Sequence, residues 1–168
     1  MAVVSTQFDV VSPLMESDHV PSFSPFIILH AEQKLVMVKD KFEPGVEYTH
    51  EVEIIDVVDK GKNALVLYRY SSYTANDKGG RDLAFYNDFT ILLKGLGGFG
   101  FKGKGHLTEL PEIPKRKPDH ILKGETYPGQ ALLYRLTGDI NPLHVDPKIA
   151  KGQKFDRPII HGNISHST

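Results

Sequence analysis

RDLAFYNDFTILLK, residues 81–94, is the clearest structural signal in this sequence. Apolar side chains take one parity of the segment: Leu83, Phe85, Phe89, Ile91 and Leu93. The other parity includes the polar residues Asp88, Thr90 and Lys94. Alternation with a period of two is typical of a β-strand that buries one face. The segment therefore predicts such a strand.

Further strands are predicted on the N-terminal side of this segment. Residues 47–58 and 64–73 are rich in Val, Ile and Tyr, and a turn composition separates them at 59–63. Three successive strands with short turns predict an antiparallel meander, whose apolar face must be covered by a helix or a second sheet. Shorter strand-like segments lie at 26–29 and 34–38.

The segments that flank these strands have compositions typical of irregular structure. Residues 1–25 contain three prolines and several serines and predict an irregular lead-in. Residues 95–105 contain six glycines, and residues 111–118 contain three prolines among charged residues. This composition predicts a flexible connector. We therefore place a domain boundary near residue 110, which gives domains 1–110 and 111–168.

A helix is predicted soon after this boundary. Thr126 can cap its N-terminus, Pro128 suits its first turn, and Gly138 suits the position just past its end. Its apolar stripe consists of Leu132, Leu133 and Leu136. Such a helix ends immediately before Asp139.

The overall composition excludes several function classes. The 168 residues carry 20 basic and 21 acidic side chains, a net charge of -1, so no global field attracts nucleic acid or an anionic membrane. The absence of cysteine excludes disulfides, thiolate nucleophiles and cysteine-based zinc sites. The first residues lack a secretory signal pattern, no window is apolar enough to span a membrane, and the last three residues are not a peroxisomal address. We expect a soluble intracellular protein.

The glycine-rich segment imitates two phosphate-binding motifs. Gly95, Gly97 and Gly100 satisfy the spacing of a dinucleotide fingerprint, but no helix pattern follows them. A P-loop is also disfavoured, because Gly105 occupies the position of the magnesium-binding Ser or Thr. We interpret the segment as a plain mobile loop and predict no cofactor.

Histidines raise the question of a metal site. A set consisting of His144, Asp146, His161 and His166 is conceivable from residue type. The spacing is not the compact one of known metal motifs, so no metal is predicted.

A second interpretation of the same region is catalytic. Asp139, Asn141 and His144 lie within six residues, and Pro142 keeps the backbone between them extended or turning. A carboxylate and an imidazole on one water molecule can remove its proton and return a proton elsewhere, an effect on the order of 10²–10⁴-fold in rate. From composition alone, a plain turn followed by a solvated histidine is the favoured alternative.

The longer sequence pattern around these residues favours the catalytic interpretation. YRLTGDINPLHVDP at residues 134–147 and FDRPIIHG at residues 155–162 resemble the hydratase 2 motif of MaoC-like hot-dog proteins, the (R)-specific 2-enoyl-CoA hydratases. The resemblance implies an α+β fold of the double hot-dog type, in which a curved antiparallel sheet wraps a central helix in each repeat. Family members continue beyond residue 168, so the second repeat is expected to be incomplete.

The resemblance also implies an activity and its residues. Family members add water reversibly to trans-2-enoyl-CoA in fatty-acid β-oxidation and form an (R)-3-hydroxyacyl-CoA. By this resemblance Asp139 and His144 activate the water and Asn141 orients it. The backbone N–H of Gly162, at a helix N-terminus, donates to the thioester oxygen. His161 is expected to contact the substrate.

The N-terminal part carries expected ligand contacts of its own. LHAEQ at residues 29–33 is similar to a ligand-site segment of the non-catalytic repeat, which implies contacts from His30 and Ala31. DKG at residues 59–61 matches a second ligand-contact segment, which implies that Lys60 contacts coenzyme A. The alternative for Lys60 is an ordinary hairpin-turn lysine.

Two further functions stay open at this point. The incomplete second repeat favours a non-catalytic acyl-CoA-binding or regulatory remnant, and a thioesterase is a weaker third hypothesis. The expected partners are an acyl-CoA thioester and either a second copy of the chain or a full-length relative. The resemblance implies a peroxisomal location, and the cytoplasm is the alternative.

Overall fold

The computed structural model describes residues 14–16, 18, 20–42, 45–106, 112–162 and 164. The chain divides into two compact units, one within Thr6–Leu107 and the other within Thr108–Thr168. The first is built on an antiparallel sheet and the second contains short helices, so the predicted α+β class is confirmed. Whether the units correspond to two repeats of one domain type stays a prediction.

The N-terminal unit is a four-stranded antiparallel sheet. Its strands are β1 (Ile28–Met37), β2 (Thr49–Asp59), β3 (Ala64–Ala75) and β4 (Arg81–Leu93), in the order β1-β4-β3-β2. The predicted meander is therefore present as β2, β3 and β4. The two short segments expected at 26–29 and 34–38 are instead one strand, β1, preceded by a 3₁₀ helix at Pro25–Ile27.

Strand β4 lies inside the sheet, between β1 and β3, and most of its alternating apolar side chains are buried. Phe85, Phe89, Ile91 and Leu93 are all buried, as the alternation predicted. Phe89 stacks on Tyr68 of β3, with ring centroids 5.2 Å apart. Thr90, on the opposite parity, is buried too, so the second face of β4 is less exposed than the sequence indicated.

The predicted irregular lead-in contributes to the core of this unit. Leu14 and Val20 are buried in one cluster with Val66 and Tyr68 of the sheet. The apolar face of an isolated sheet would otherwise meet water, at a cost of about 25 cal/mol per Å². Part of the cover expected from a helix or a second sheet thus comes from residues N-terminal to β1. Residues 1–13 lie outside the described part of the chain.

The glycine-rich segment after β4 is held by two carboxylates at the end of β2. Asp59 Oδ1 accepts the backbone N–H groups of Gly61 at 2.7 Å and Gly98 at 3.0 Å, and its Oδ2 accepts that of Gly100 at 2.6 Å. These donors hold the pKa of the Asp59 carboxyl below its usual value. The predicted mobile connector is therefore wrong for this segment, because backbone donors bind it to β2.

Asp56 secures the next part of the same segment. Its carboxylate is buried and accepts backbone N–H groups from Val57, Lys104 and His106 at 2.8–3.0 Å. Burial raises the pKa of Asp56, but the N–H donors outweigh burial and the pKa is lowered overall. The glycines permit this wrapping, since Gly98 and Gly100 have positive φ angles of 85° and 82°.

The C-terminal unit contains short helical segments. They are α1 (Gln130–Tyr134), a 3₁₀ helix at Arg135–Thr137, a second at Pro142–His144, and α2 (Pro147–Gly152). The helix predicted from Thr126 begins four residues later, and Gly129 makes no side-chain cap. Its end is as predicted, since Gly138 has φ 114° in the left-handed region.

The apolar stripe that indicated this helix is not buried. Leu132 and Leu133 are each 59% exposed and Leu136 is 80% exposed. None of the helices in the described ranges is long and apolar enough to cross a membrane.

Candidate active site

The backbone after Gly138 forms a tight turn built on two polar side chains. Asp139 Oδ1 accepts the backbone N–H of Asn141 at 3.2 Å. Asn141 Oδ1 accepts that of Leu143 at 3.0 Å and so caps the 3₁₀ helix that begins at Pro142. The turn of the plain-turn alternative is therefore present, and it places Asp139 near the 3₁₀ helix that carries His144. The solvated histidine of that alternative is not, because Nδ1 of His144 contacts a backbone carbonyl.

A backbone carbonyl fixes the tautomer of His144. Its Nδ1 lies 2.9 Å from the carbonyl oxygen of Ile159. Because a carbonyl oxygen only accepts, Nδ1 must carry the hydrogen. In the neutral ring Nε2 is then the unprotonated nitrogen, which is the state that a general base requires.

His161 lies behind this arrangement, with 1% of its surface exposed. Its ring stacks on that of His144, with centroids 3.9 Å apart and planes tilted by 28°. It also contacts the ring of Tyr134, at 4.7 Å between centroids. Its Nε2 lies 3.9 Å from Asp139 Oδ2. Neither ring nitrogen has a well-formed hydrogen bond to a described residue, although the backbone of Asp139 also acts on the ring. Such burial argues against the direct substrate contact expected for His161.

The surroundings of His161 keep it uncharged. Burial lowers the pKa of His161, and the neighbouring His144 lowers it further. Asp139 favours the protonated form but does not reverse the shift. Neutral His161 therefore carries one N–H and one lone pair.

Three of these side chains could be considered as metal ligands. One ligand atom from each of Asp139, His144 and His161 lies within 4.8 Å of the others. However, the nitrogen lone pairs of two stacked imidazoles lie in nearly parallel planes. They do not converge at the ~2.1 Å that a metal–nitrogen bond needs. The arrangement fits a metal poorly, and the absence of a metal stays a prediction.

A cavity of about 640 Å³ opens beside His144 within the same unit. Most of its lining is apolar, including Tyr127, Leu132 and Ile160, and Arg157 adds one cation. Asp139 and His161 do not line it. An apolar cavity of this size next to an imidazole can hold a hydrophobic ligand within reach of an acid–base group.

The structure thus brings together only some of the residues singled out from the sequence. Asp139, His144 and His161 form one cluster, and Asn141 contributes to the turn beside it. Gly162 follows His161, and a Cβ added there would meet nothing within 4 Å. The helix expected to begin at Gly162 falls largely on residues outside the described part of the chain.

The remaining predicted ligand residues lie in the sheet unit. Ala31 is the extra residue of a β-bulge between His30 and Glu32 on β1. The His30 ring nitrogen Nε2 lies 3.1 Å from the carbonyl oxygen of Glu32. Lys60 lies in the β2–β3 turn, where its N–H donates to the carbonyl of Asn63. Since β1 and β2 are opposite edges of the sheet, three strand spacings of ~4.8 Å, roughly 14 Å, separate the two strands, so His30 and Lys60 are at least that far apart across the sheet.

Two contributors to the cluster were not identified from the sequence. Tyr134 is the first residue of the motif at residues 134–147, but the sequence predicted no function for it. Its proximity to Asp139 in the sequence was the available signal. The carbonyl of Ile159 had no signal, because any residue type supplies a backbone carbonyl.

Comparison with known families matches both units. The MFE-2 hydratase 2 N-terminal domain matches residues 1–95, and the MaoC like domain matches residues 109–168. The second match contains Asp139, His144 and His161.

Individual relatives are similar over most of this chain and are longer than it. The peroxisomal hydratase-dehydrogenase-epimerase of Neurospora crassa is 40% identical over 162 residues, which cover 94% of this chain and 18% of the relative. The peroxisomal enoyl-CoA hydratase 2 of Arabidopsis thaliana is 35% identical over 159 residues, which cover 89% of this chain and 50% of the relative. The chain therefore spans half or less of the length of these relatives.

A solved structure confirms the expected fold. The crystal structure of a MaoC-like dehydratase from Phytophthora capsici superposes with a TM-score of 0.66 at 36% identity, over 89% of this chain and 49% of the other. The hot-dog α+β fold is therefore confirmed. From these matches, this chain belongs to the family of MaoC-like dehydratases and hydratase 2 proteins.

Proposed function

We propose that the chain carries a hydro-lyase site that adds water reversibly to a trans-2-enoyl-CoA in fatty-acid β-oxidation. The observation that carries this proposal is the fixed tautomer of His144, whose Nδ1–H is bound to Ile159 while its ring borders an apolar cavity. The relatives named as enoyl-CoA hydratases support the reaction class.

The reaction requires one proton to leave the water and one to reach the substrate. As the water oxygen bonds to C3, Nε2 of His144 and the carboxylate of Asp139 together take up the released proton. A proton is delivered to C2 from the same pair, which gives the 3-hydroxyacyl-CoA and restores both groups. The (R) configuration is proposed from the family resemblance.

Other residues are assigned roles by resemblance. Because the amide oxygen of Asn141 is committed to Leu143, its NH₂ end is the one that would orient the water. The backbone N–H of Gly162 is proposed as the donor to the thioester oxygen. His30, Ala31 and Lys60 are proposed to contact the coenzyme A part of the substrate.

One observation favours a second function, acyl-CoA binding without turnover. Asp139 does not line the cavity that His144 borders, so a ligand in that cavity could contact the imidazole without the carboxylate. A thioester would then bind and stay unchanged.

The decisive experiment is an absorbance assay with crotonyl-CoA and a longer trans-2-enoyl-CoA, at micromolar protein, followed by chiral analysis of the product. Loss of the enoyl-thioester band with formation of the (R)-3-hydroxy product supports the hydratase. A folded protein that binds the thioesters in calorimetry, but leaves the band unchanged, supports the non-catalytic alternative instead.

The names of the relatives also guide the cellular proposal. Two of them are named peroxisomal, and we propose a peroxisomal association for this chain. A second copy of the chain or a full-length relative is the proposed protein partner.

A further inference from the structure

His161 is a buried polar side chain that neither the turn nor the cavity explains. Neither of its buried nitrogens has a well-formed hydrogen bond to a described residue, although the backbone of Asp139 is close enough to raise its pKa slightly against the larger effect of burial. Buried polar atoms in folded proteins almost always have partners, so a group of this kind calls for a functional explanation.

The neighbours of His161 are the two groups assigned to the reaction. Its ring face lies on the ring of His144, at 3.9 Å between centroids. Its edge faces Asp139, with Nε2 3.9 Å from Oδ2. An approach of about 1 Å would convert this second contact into a charge-assisted hydrogen bond. His161 therefore contacts the imidazole with its face and the carboxylate with its edge.

Other roles for His161 fit less well. It does not line the cavity, so a ligand held there would not contact it. The stack with His144 directs the nitrogen lone pairs side by side, which disfavours a shared metal. The Tyr134 ring gives a further packing contact and supplies no partner for the buried nitrogens.

We propose that His161 is a positioning residue for the hydration reaction, whose Nε2–H aligns the Asp139 carboxylate while its ring face holds the His144 imidazole. This inference rests on the proposed function. It replaces the substrate contact that the sequence indicated for His161 with an action through Asp139 and His144.

The charge state of His161 is consistent with this role. Burial and His144 lower its pKa, and the other charged groups acting on it are Asp139 and Arg135. A neutral His161 adds no charge to the stack, so His144 can accept a proton during turnover without like-charge repulsion from the ring beneath it. Its single N–H is then available to the carboxylate.

Two substitutions separate the two contacts. His161→Phe keeps a flat ring against His144 and removes the N–H, whereas His161→Gln keeps an N–H donor near the position of Nε2 and removes the ring. For His161→Phe we expect kcat to fall about 10- to 100-fold, by analogy with the loss of residues that orient metal-ligating side chains, with little change in KM. The acid limb of the kcat–pH profile should move to higher pH, because the Asp139 carboxylate loses a donor.

His161→Gln should leave the acid limb near its parental position while kcat falls, and His120→Phe, at an exposed histidine of the same unit, should change neither parameter. If the two His161 variants had the same kcat and neither moved the acid limb of the kcat–pH profile, the proposal would be overturned.

An NMR experiment keeps this test separate from the test of hydration. The ¹⁵N shifts of the parent chain should show His161 as the neutral Nε2–H tautomer and His144 as the Nδ1–H tautomer. The ¹³C chemical shift of the Asp139 carboxylate should change in His161→Phe, because its nearest N–H donor is removed. A parent with these signatures but without turnover contradicts the hydratase and leaves His161 without a reaction to support. An Nδ1–H tautomer of His161 overturns the positioning role even if the parent turns over, so the two failures are distinguishable. The tautomer of His161 is measured on the parent chain alone, so this test remains valid even if His161→Phe does not fold.

Discussion

At the scale of single residues, two aspartates of the C-terminal unit offer a matched comparison. Asp139 accepts the N–H of Asn141, and Asp146 accepts the N–H of Lys148 at the start of α2. An asparagine at either position keeps an oxygen acceptor for its turn. Only at position 139 does the substitution remove a charge beside His161 and His144.

Asp139→Asn should therefore lower kcat for enoyl-CoA hydration on the order of 10²-fold or more, because the carboxylate that exchanges protons with water is lost. Steady-state kinetics with crotonyl-CoA measures this. Asp146→Asn is the control and should retain kcat within about twofold. A parental rate in Asp139→Asn would remove Asp139 from the proposed mechanism.

The residue scale also shows how far the sequence could specify the site. The spacing of Asp139 and His144 predicted that their side chains converge, and the structure places both against His161. The third partner is 17 positions beyond His144, a separation that spacing rules do not address. Asn141 was expected to orient water, and its oxygen caps a 3₁₀ helix as well.

At the scale of elements, the loop after β4 is determined by its contacts with β2. Asp56 and Asp59 accept six backbone N–H groups, four of them from residues 98–106. A glycine-rich composition is typical of flexible chain, and the sequence could not show that two aspartates 39 to 50 residues earlier would bind it. Hydrogen bonds to a carboxylate are stronger than those between neutral groups, so these contacts should hold the loop against β2.

Asp56→Ala should lower the free energy of unfolding of the N-terminal unit by about 1–3 kcal/mol, since it removes the buried acceptor that the backbone N–H groups of Val57, Lys104 and His106 share. Urea denaturation followed by circular dichroism measures the change. Asp77→Ala, in an exposed turn of the same unit, should stay within about 0.5 kcal/mol of the parent. Equal stability of the two variants would contradict the role of Asp56.

The same carboxylates predict how stability depends on pH. The pKa values of Asp56 and Asp59 are lowered in the folded chain, whereas an unfolded aspartate titrates near ~3.9. Above that value both states are ionised and the stabilisation is complete. As the pH falls below it, the unfolded state binds protons first, and stability decreases until the folded carboxylates are protonated as well.

Unfolding free energies measured by urea at pH 7 and at pH 3 should therefore differ more in the parent than in Asp56→Ala. An equal loss in both would show that Asp56 contributes nothing to the acid sensitivity.

Gly97 tests the close approach of this loop to the β2–β3 turn. A Cβ at position 97 would overlap the carbonyl oxygen of Gly61, a backbone atom that cannot move aside cheaply. Gly97→Ala should destabilise the unit by about 1–3 kcal/mol, the usual cost of overpacking. Gly124→Ala, where nothing lies within 4 Å, is the control and should be close to neutral in thermal denaturation.

At the scale of the whole molecule, the two units differ in how much apolar core each contains. The sheet unit buries large side chains such as Tyr68, Phe89 and Leu93. The buried apolar residues described in the C-terminal unit are smaller and fewer: Ala131, Leu143, Ala150 and Ile164. Local stability follows buried apolar contact, so the units should open with different free energies.

Hydrogen exchange followed by mass spectrometry should show this difference. Peptides from β3 and β4 should exchange slowly, whereas peptides from residues 112–135 should exchange orders of magnitude faster. Addition of a saturated acyl-CoA that occupies the cavity should slow exchange near His144 while β3 serves as the unchanged reference. Uniform slow exchange along the chain would contradict independent stabilities.

The sequence by itself determined the α+β class, the meander, the family and the segment that holds Asp139 and His144, because strand alternation and a long motif are local properties of the chain. The tertiary structure alone decided that Leu14 and Val20 cover the sheet, that two aspartates bind the glycine-rich loop, and that His161 lies against both Asp139 and His144. These contacts join residues far apart in sequence, and no local pattern encodes them. They form only when the folded backbone brings the partners within a few ångströms of one another.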